Sequence, residues 1–370
     1  MTDFAVVGGG IAGASAAAHL APHGSVTLLE MERSLAYHTT GRSAALFIVN
    51  YGAQGVRPMA RASRRFLEDP PEGSIEAPLL ATRGLLWIGD REQVDKIAEI
   101  AAGSVGGGEG TRELGPDEIT ELVPALRRDR AVAGIYEPGA RDIDVAGLHQ
   151  AFVCIARKHR TEVLTDARVT AIDRDGSGWL IRTGQGDVRA PVVINAAGAW
   201  GDVVAASAGV EPIGLRPMRR TAFMVPGSED YTGWPMVVDA DQRFYFKPDG
   251  VQLLCSLAEE MPSEPADPRP RMEDVALAIE RINEATTLDI SVVNSEWTGL
   301  RTFAPDRELV IGEEPTAPGF FWLVGQGGVG IQTSPAYGSL LASLVTGEEM
   351  APDLVEAGVD PSLTAPARFR

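Results

Sequence analysis

Three glycines, one acid and two distant arginines are the residues of this chain whose types and spacing suit chemistry. Gly8, Gly10 and Gly13 follow the pattern G-x-G-x-x-G directly after the apolar run Phe4–Val7. Gly8 permits a tight turn, Gly10 lets backbone approach a pyrophosphate, and Gly13 lets the following helix pack on the strand. A helix that opens there offers unpaired N–H groups and a positive dipole end to phosphates. Glu30, 22 residues after Gly8, closes a second apolar run, Val26–Leu29. A carboxylate at that place can accept both hydroxyls of an adenosine ribose. The stretch reads as a dinucleotide site. Far along the chain a second glycine-rich turn, Gly325-Gln326-Gly327-Gly328-Val329-Gly330, follows the apolar run Phe320–Val324 and precedes a helical pattern. Two such turns suit a ligand with two ends, as FAD has: adenosine and pyrophosphate at the first turn, flavin at the second. A helix terminus supplied by Gly327 to Gln332 would stabilise the negative charge that develops when a flavin accepts a hydride.

With a flavin as acceptor, the remaining task is to hold a substrate over it. Arginine suits a carboxylate because its planar fork gives two parallel charge-assisted hydrogen bonds. Arg220 and Arg301 lie at either end of a region of alternating strands, and Tyr51 and Tyr245 add neutral hydroxyls. Spacing alone leaves Arg219 an equal candidate to Arg220. The five histidines (His19, His23, His38, His149 and His159) form no Ser/His/Asp or H-E-x-x-H arrangement. Cys154 and Cys255 stand far apart in apolar runs with no C-x-x-C, so core thiols are expected and no metal site or disulfide framework.

The elements that must position these residues fall into two patterns. Phe4–Val7, a small-residue helix from Ala14 to Leu20, and Val26–Leu29 make a βαβ start. Val192 to Asn195 reads as a returning buried parallel strand running into Ala196-Ala197-Gly198-Ala199-Trp200. Leu309–Ile311 and Phe320–Val324 read as further parallel-type strands, followed by a helix with Leu340, Leu341, Leu344 and Val345 inward. Between these returns lie Gly84 to Ile88, a helix from Val145 to Lys158, and a hairpin of Arg168–Asp173 with Trp179–Thr183. Thr221–Val225, Met236–Asp239, Arg243–Lys247 and Val251–Leu257 then read as an antiparallel sheet, with a helix near Glu273–Ala285. Met59 to Leu67 reads as a helix whose Arg61, Arg64 and Arg65 form a solvated face, and 103–110 as a glycine-rich loop. The expected division is a discontinuous nucleotide domain (1–48, 142–210 and 300–370) and a substrate domain (49–141 and 211–299).

At 370 residues and 44% hydrophobic, the chain can bury a large core. A formal charge of -18 argues against nucleic acid and anionic membrane surfaces as partners. No window reaches transmembrane length and no basic leader precedes the first strand, so a cytoplasmic location is expected.

The chain resembles the FAD-dependent D-amino-acid oxidoreductases (the DAO family), most closely the D-arginine dehydrogenase type. The matching segments run nearly end to end and include GGGIAGAS, YHTTGRSAA, DIDVAGLHQ, NAAGAW, RRTAF, FYFKPD, WTGLRTF and FFWLVGQGGVGIQTS. The resemblance implies an α/β fold: a Rossmann-like FAD-binding domain of the glutathione-reductase type with an inserted antiparallel-sheet α+β substrate domain. It implies non-covalent FAD and hydride transfer from the Cα of a D-amino acid to flavin N5. The imino acid so formed hydrolyses to a 2-oxo acid and ammonia. Arg220 and Arg301 resemble the carboxylate-binding arginines, and Tyr51 and Tyr245 the active-site tyrosines. Gly328 and Gln332 fall where the family contacts the substrate amine and the flavin. Ala12, Glu30, Met31, Thr39, Thr40, Gly41, Arg42, Ser43, Ala44, Ala45 and Leu46 fall on FAD-contacting positions. So do Val169, Gly198, Gly327, Val329, Gly330 and Ile331.

The departures bear on substrate. The acid with which D-arginine dehydrogenases read a guanidinium falls at Leu85, a pocket histidine at Leu46 and a pocket threonine at Ile48; Met236 and Val238 complete an apolar wall. A guanidinium buried against Leu85 would be unpaired, which costs several kcal/mol. An apolar D-amino acid is therefore the expected substrate, and a quinone-type acceptor or oxygen the expected electron partner. Two alternatives stand beside this: a secondary-amine or 2-hydroxy-acid flavin dehydrogenase, and a flavin-bearing electron carrier without turnover.

Overall fold

A computed structural model describes residues 1–104 and 110–370; the glycine-rich stretch 103–110 lies for the most part outside the described residues. Six strands form one sheet, in the spatial order Val310–Glu313, Phe320–Val324, Val192–Asn195, Phe4–Val7, Val26–Leu29 and Glu162–Leu164. The four inner and outer pairings from Phe320–Val324 to Glu162–Leu164 are parallel. Such strands are covered on both faces, which is why they read as unbroken apolar runs. Val310–Glu313 instead pairs antiparallel with Phe320–Val324. This corrects the expectation of a parallel strand there. Only residues 314–319 separate the two, and a parallel pair needs a crossover of a dozen or more residues.

The first helix, Ile11–Leu20, is buried at nine of its ten positions. Its alanines let it lie close between the sheet and the helices Val145–Lys158 and Ser334–Thr346. In the latter helix Leu340 and Leu341 are buried and Val345 partly so, whereas Leu344 points out to solvent. The helix Val56–Glu68 turns Arg61, Arg64 and Arg65 outward as expected. Cys255 is buried, and Cys154 only partly.

A second sheet has nine strands. Its order is Met261–Pro262, Arg216–Pro226, Gln252–Ser256, Tyr245–Asp249, Met236–Asp239, Leu85–Gly89, Ala133–Glu137 and Arg112–Leu114, with Ser295–Phe303 also paired to Arg216–Pro226. Its pairings are antiparallel except that Met236–Asp239 runs parallel to Leu85–Gly89. Side chains alternate between its faces. On one face Phe223, Val237, Phe246 and Cys255 pack under the helix Met272–Ala285, through Val275, Ala278 and Ile282. The other face presents Ala222, Val238, Tyr245, Leu85 and Trp87 toward the first sheet's layer. A three-stranded ribbon of Leu46–Phe47, Arg141–Ile143 and Leu80–Thr82 bridges the two, and a hairpin sheet from Val169 to Ala190 flanks the nucleotide side. Among the described residues no helix is long and apolar enough to cross a membrane.

Candidate active site

A cavity of about 310 Å³ runs between the two sheets, from Glu30 at one end to Arg301 and Leu85 at the other. At the first end, Gly8 takes φ +109°, and a Cβ there would lie 2.5 Å from the carbonyl oxygen of Ala196. The Gly8 N–H donates to Leu29 O at 2.8 Å, closing the turn. Glu30 ends its strand facing the cavity; Oε2 accepts from Gly9 N at 2.7 Å and Oε1 from Glu32 N at 2.9 Å. Thr40 Oγ1 accepts from Ile11 N at 3.0 Å, while Gly10, the N-cap, has no side chain to occupy the rest of the helix terminus. Gly198, across the cavity, takes φ +52°, and a Cβ built on it would meet nothing within 4 Å. An open helix terminus, an inward carboxylate and glycines bordering open space fit FAD's phosphates, ribose and flanking groups.

Most of the expected cofactor positions line this cavity, namely Gly8, Gly10, Ala12, Glu30, Met31, Thr39, Thr40, Arg42, Ser43, Ala44, Ala45, Leu46, Val169, Gly198, Gly327, Gly328, Gly330, Ile331 and Gln332. Gly13, Gly41 and Val329 do not. A Cβ on Gly13 would sit 1.8 Å from Gly8 O, so this glycine packs the helix onto the turn. Gly41 is folded against Ala36, whose carbonyl accepts its N–H at 2.9 Å. Val329 points into the core beside Leu340 and Tyr337. Arg42 lines the cavity, but its guanidinium is held by the protein: Nη2 lies 2.6 Å from Asp267 Oδ1 and Nη1 donates to Thr298 O at 2.8 Å. The segment Gly327 to Gln332 is a run of turns, and the helix opens only at Ser334. The expectation of a helix terminus within it is corrected accordingly. Gly327 takes φ +52° under the Phe303 ring, which a Cβ would approach to 2.2 Å. Gln332 Oε1 accepts from Ile48 N at 2.8 Å, tying this run to the segment that follows Leu46–Phe47.

At the other end the nine-stranded sheet works as a grid. Arg220 lies across from Gly299, and Arg301 is two residues beyond Gly299 on the same strand. The two arginines are therefore diagonal neighbours on one face. The next row on that face runs Trp297, Ala222, Ser256, Tyr245, Val238 and Trp87, and the row beyond holds Met236 and Leu85. Arg220, Arg301, Tyr51, Tyr245, Leu46, Ile48, Leu85, Met236, Val238, Gly328 and Gln332 all line the cavity. Arg219 takes the opposite face, across from Leu300, and donates to Arg269 O, which separates it from Arg220.

The two arginines differ in their surroundings. Arg220 is 9% exposed; its Nε donates to Glu259 O at 2.8 Å and its Nη2 lies 3.4 Å from Glu260 Oε1. Burial, and then the neighbouring Arg301 charge, lower its pKa. The Arg301 guanidinium makes no hydrogen bond or ion pair among the described residues. Its guanidinium lies beside Gly328, where a Cβ would come within 3.0 Å of Nη1. Among the described residues lining the cavity, Glu30 is the one carboxylate, against Arg42, Arg168, Arg220 and Arg301. A cavity lined with cations in an acidic protein attracts an anion.

Sequence reasoning passed over several lining residues. Trp87 stands two residues from Leu85 on one strand, so the period of two would have placed it on the same face. His38, which stands in the matching segment YHTTGRSAA without an expected role, lines the cavity with its ring between Tyr37 and Trp200, at 5.0 and 4.7 Å, and its Nε2 is 3.0 Å from Glu32 Oε1. Gln242 reaches the rim from a turn with φ +55°. No local pattern marked Gln242.

A family model described as FAD dependent oxidoreductase matches residues 3–344. Human mitochondrial sarcosine dehydrogenase is 26% identical over 361 residues, covering 92% of this chain and 39% of that protein. The chain thus spans about two-fifths of the length of the curated sarcosine dehydrogenases it matches. Glycine oxidase from Geobacillus kaustophilus (strain HTA426) is 25% identical over 368 residues, 95% of each protein. Among solved structures, L-proline dehydrogenase from P. horikoshii superposes with a TM-score of 0.85 at 22% identity, covering 100% of this chain and 97% of that one. The fold is thereby that of these FAD-binding flavoproteins, and the chain belongs to the FAD dependent oxidoreductase family.

Proposed function

From that membership and the lining of the cavity, we propose that the chain oxidises the C–N bond of an apolar D-amino acid to an imino acid, which water converts to a 2-oxo acid and ammonia. The observation that carries this reading is Arg301, whose guanidinium has no partner among the described residues, set diagonally from Arg220 on the cavity face of the sheet. Two guanidinium forks converging there suit a carboxylate. FAD, when bound, supplies the hydride acceptor. Gly8, Gly10 and Glu30 hold its dinucleotide half, and the turns from Gly327 to Gln332 border its flavin half. In this reading residues 1–48, 142–210 and 300–370 hold FAD, and 49–141 with 211–299 hold the substrate.

Tyr51 and Tyr245 flank the substrate's reacting carbon, and Leu46, Ile48, Leu85, Trp87, Met236 and Val238 receive its side chain. On the grid Val238 and Trp87 lie one row from Arg220, and Met236 and Leu85 two rows, which leaves room for a branched or thioether side chain; the described residues of this wall include no acid for a cationic one. The D configuration rests on the motif resemblance. Electrons leave to a quinone-type acceptor or to oxygen.

A second reading has support of its own. The relatives are named for sarcosine, glycine and proline, so a secondary amine bearing a carboxylate would use the same two arginines. Anaerobic bleaching of the flavin separates the readings, with D-leucine, L-leucine, D-arginine, sarcosine and L-proline as reductants. D-leucine is expected to bleach fastest. Faster bleaching by sarcosine or proline would move the assignment to secondary amines.

A further inference from the structure

We propose that Glu260 is a built-in counter-ion, which occupies Arg220 while the pocket lacks a substrate carboxylate and is drawn off by Arg307 when one binds. This rests on reading Arg220 and Arg301 as the carboxylate receptor. Glu260 stands between two guanidinium groups of unequal hold. Inside, Arg220 Nη2 is 3.4 Å from Glu260 Oε1, the long limit of a hydrogen bond. Outside, Arg307 Nη2 lies 3.0 Å from both carboxylate oxygens. Arg307 is about half exposed and stacks on the Phe303 ring at 3.9 Å. Glu260 is one-third exposed, and Arg220 is buried.

The reason for such a partner is the pair of like charges. Arg220 and Arg301 face one cavity, and among the described residues the Arg301 guanidinium has no ion-pair partner. Glu259, next along the chain, gives Arg220 mainly its backbone carbonyl. Its own carboxylate accepts from Thr221 N and makes no ion pair with Arg220 among the described residues. Both carboxylates act on the Arg220 charge, but Glu260 is the one whose carboxylate reaches its guanidinium. An arriving carboxylate takes over the Arg220 fork and repels Glu260, which keeps its closer bonds to Arg307. In this scheme Glu260 competes with the substrate for Arg220. A residue that merely supported the loop would help the substrate bind, so the two roles predict opposite signs.

The test is the Kd of the holoenzyme for 4-methylpentanoate, an apolar carboxylate without an amine, read from the perturbation of the flavin absorption band at low salt. E260Q is expected to bind about three- to tenfold more tightly than the unaltered chain, since a competing charge at this distance is worth about that factor. E260A, which also removes the side-chain bulk, should change in the same direction. R307Q leaves Glu260 to Arg220 alone and should bind about three- to tenfold more weakly. The double variant E260Q/R307Q should follow E260Q. Weaker binding by both Glu260 variants, or no change in R307Q, overturns the counter-ion role. If the unaltered holoenzyme fails to bind 4-methylpentanoate, or other carboxylates, the carboxylate-receptor reading falls and the proposal with it.

Discussion

Replacing Arg301 with methionine should weaken substrate recognition while making the protein more stable. The long methionine side chain keeps the apolar stem beside Gly328 and removes the charge. A charge-assisted hydrogen-bonded pair with a substrate carboxylate contributes about 1.5–3 kcal/mol, so kcat/KM should fall by about 10- to 150-fold. Against this, the free protein holds the Arg301 guanidinium without a hydrogen bond or ion pair among the described residues, one diagonal step from Arg220. Diagonal neighbours sit roughly 7–8 Å apart, where two like charges repel by about 2 kcal/mol at an effective dielectric near 20, before screening. Half of that surviving in the partly wet cavity would raise the melting temperature by roughly 1–2 °C. Anaerobic stopped-flow bleaching gives the first quantity and flavin-fluorescence melting the second. 4-Methylpentanoate should raise the melting temperature of the unaltered chain and leave R301M unmoved. A variant that melted several degrees lower, or kept kcat/KM within threefold, would refute the view of Arg301 as a cation kept unpaired for the substrate.

Leu85 is 1% exposed and pairs directly with Glu137, whose own carboxyl is raised by burial and accepts from Asn50 Nδ2 at 3.3 Å. L85E combined with E137Q should raise the bleaching rate with D-arginine at least tenfold and lower that with D-leucine, whereas L85E alone should be less stable from two adjacent carboxylates. G13A forces a Cβ to within 1.8 Å of Gly8 O and should yield protein with little bound flavin, read as the ratio of 450 to 280 nm absorbance. At Glu314, burial alone would raise the carboxyl, but hydrogen bonds from Arg370, Thr316 and Trp322 outweigh it and bring its pKa to about 2 from an ordinary 4.5. Its folded pKa is depressed, so its stabilisation is present above about pH 4.5 and is lost as the pH falls toward 2. That loss should reach about 3 kcal/mol in urea unfolding, and E314Q should lack this acid limb.

The first βαβ unit was readable from sequence because its devices are local. Three glycines, an alanine-rich helix and Glu30 fall within one βαβ unit, and fully buried strands leave unbroken apolar runs. Arg220 and Arg301 could be named, but not told from Arg219, because which face of a strand a side chain takes depends on register with Ser295–Phe303. Arg42 matched a cofactor motif, yet its guanidinium is held by Asp267, 225 residues away in the chain. The parallel pairing of Met236–Asp239 with Leu85–Gly89, which brings the apolar wall together, likewise joins distant segments. Glu260 carried no motif at all; its interest lies in its position between Arg220 and Arg307. What sequence could not supply was partnership across long separations.

The six-stranded sheet has a consequence for synthesis on the ribosome. Phe4–Val7 and Val26–Leu29 emerge early as a two-stranded parallel pair, but the next inner neighbour, Val192–Asn195, is made more than 160 residues later. Phe320–Val324 is made later still. At about 5–20 residues per second the early pair waits roughly ten to thirty seconds with an apolar edge uncovered. The nascent chain therefore passes through an interval in which its dinucleotide turn exists without the wall that would complete it. A chaperone that shields strand edges should raise the yield of yellow protein more than added FAD does, because the delay lies in the order of translation.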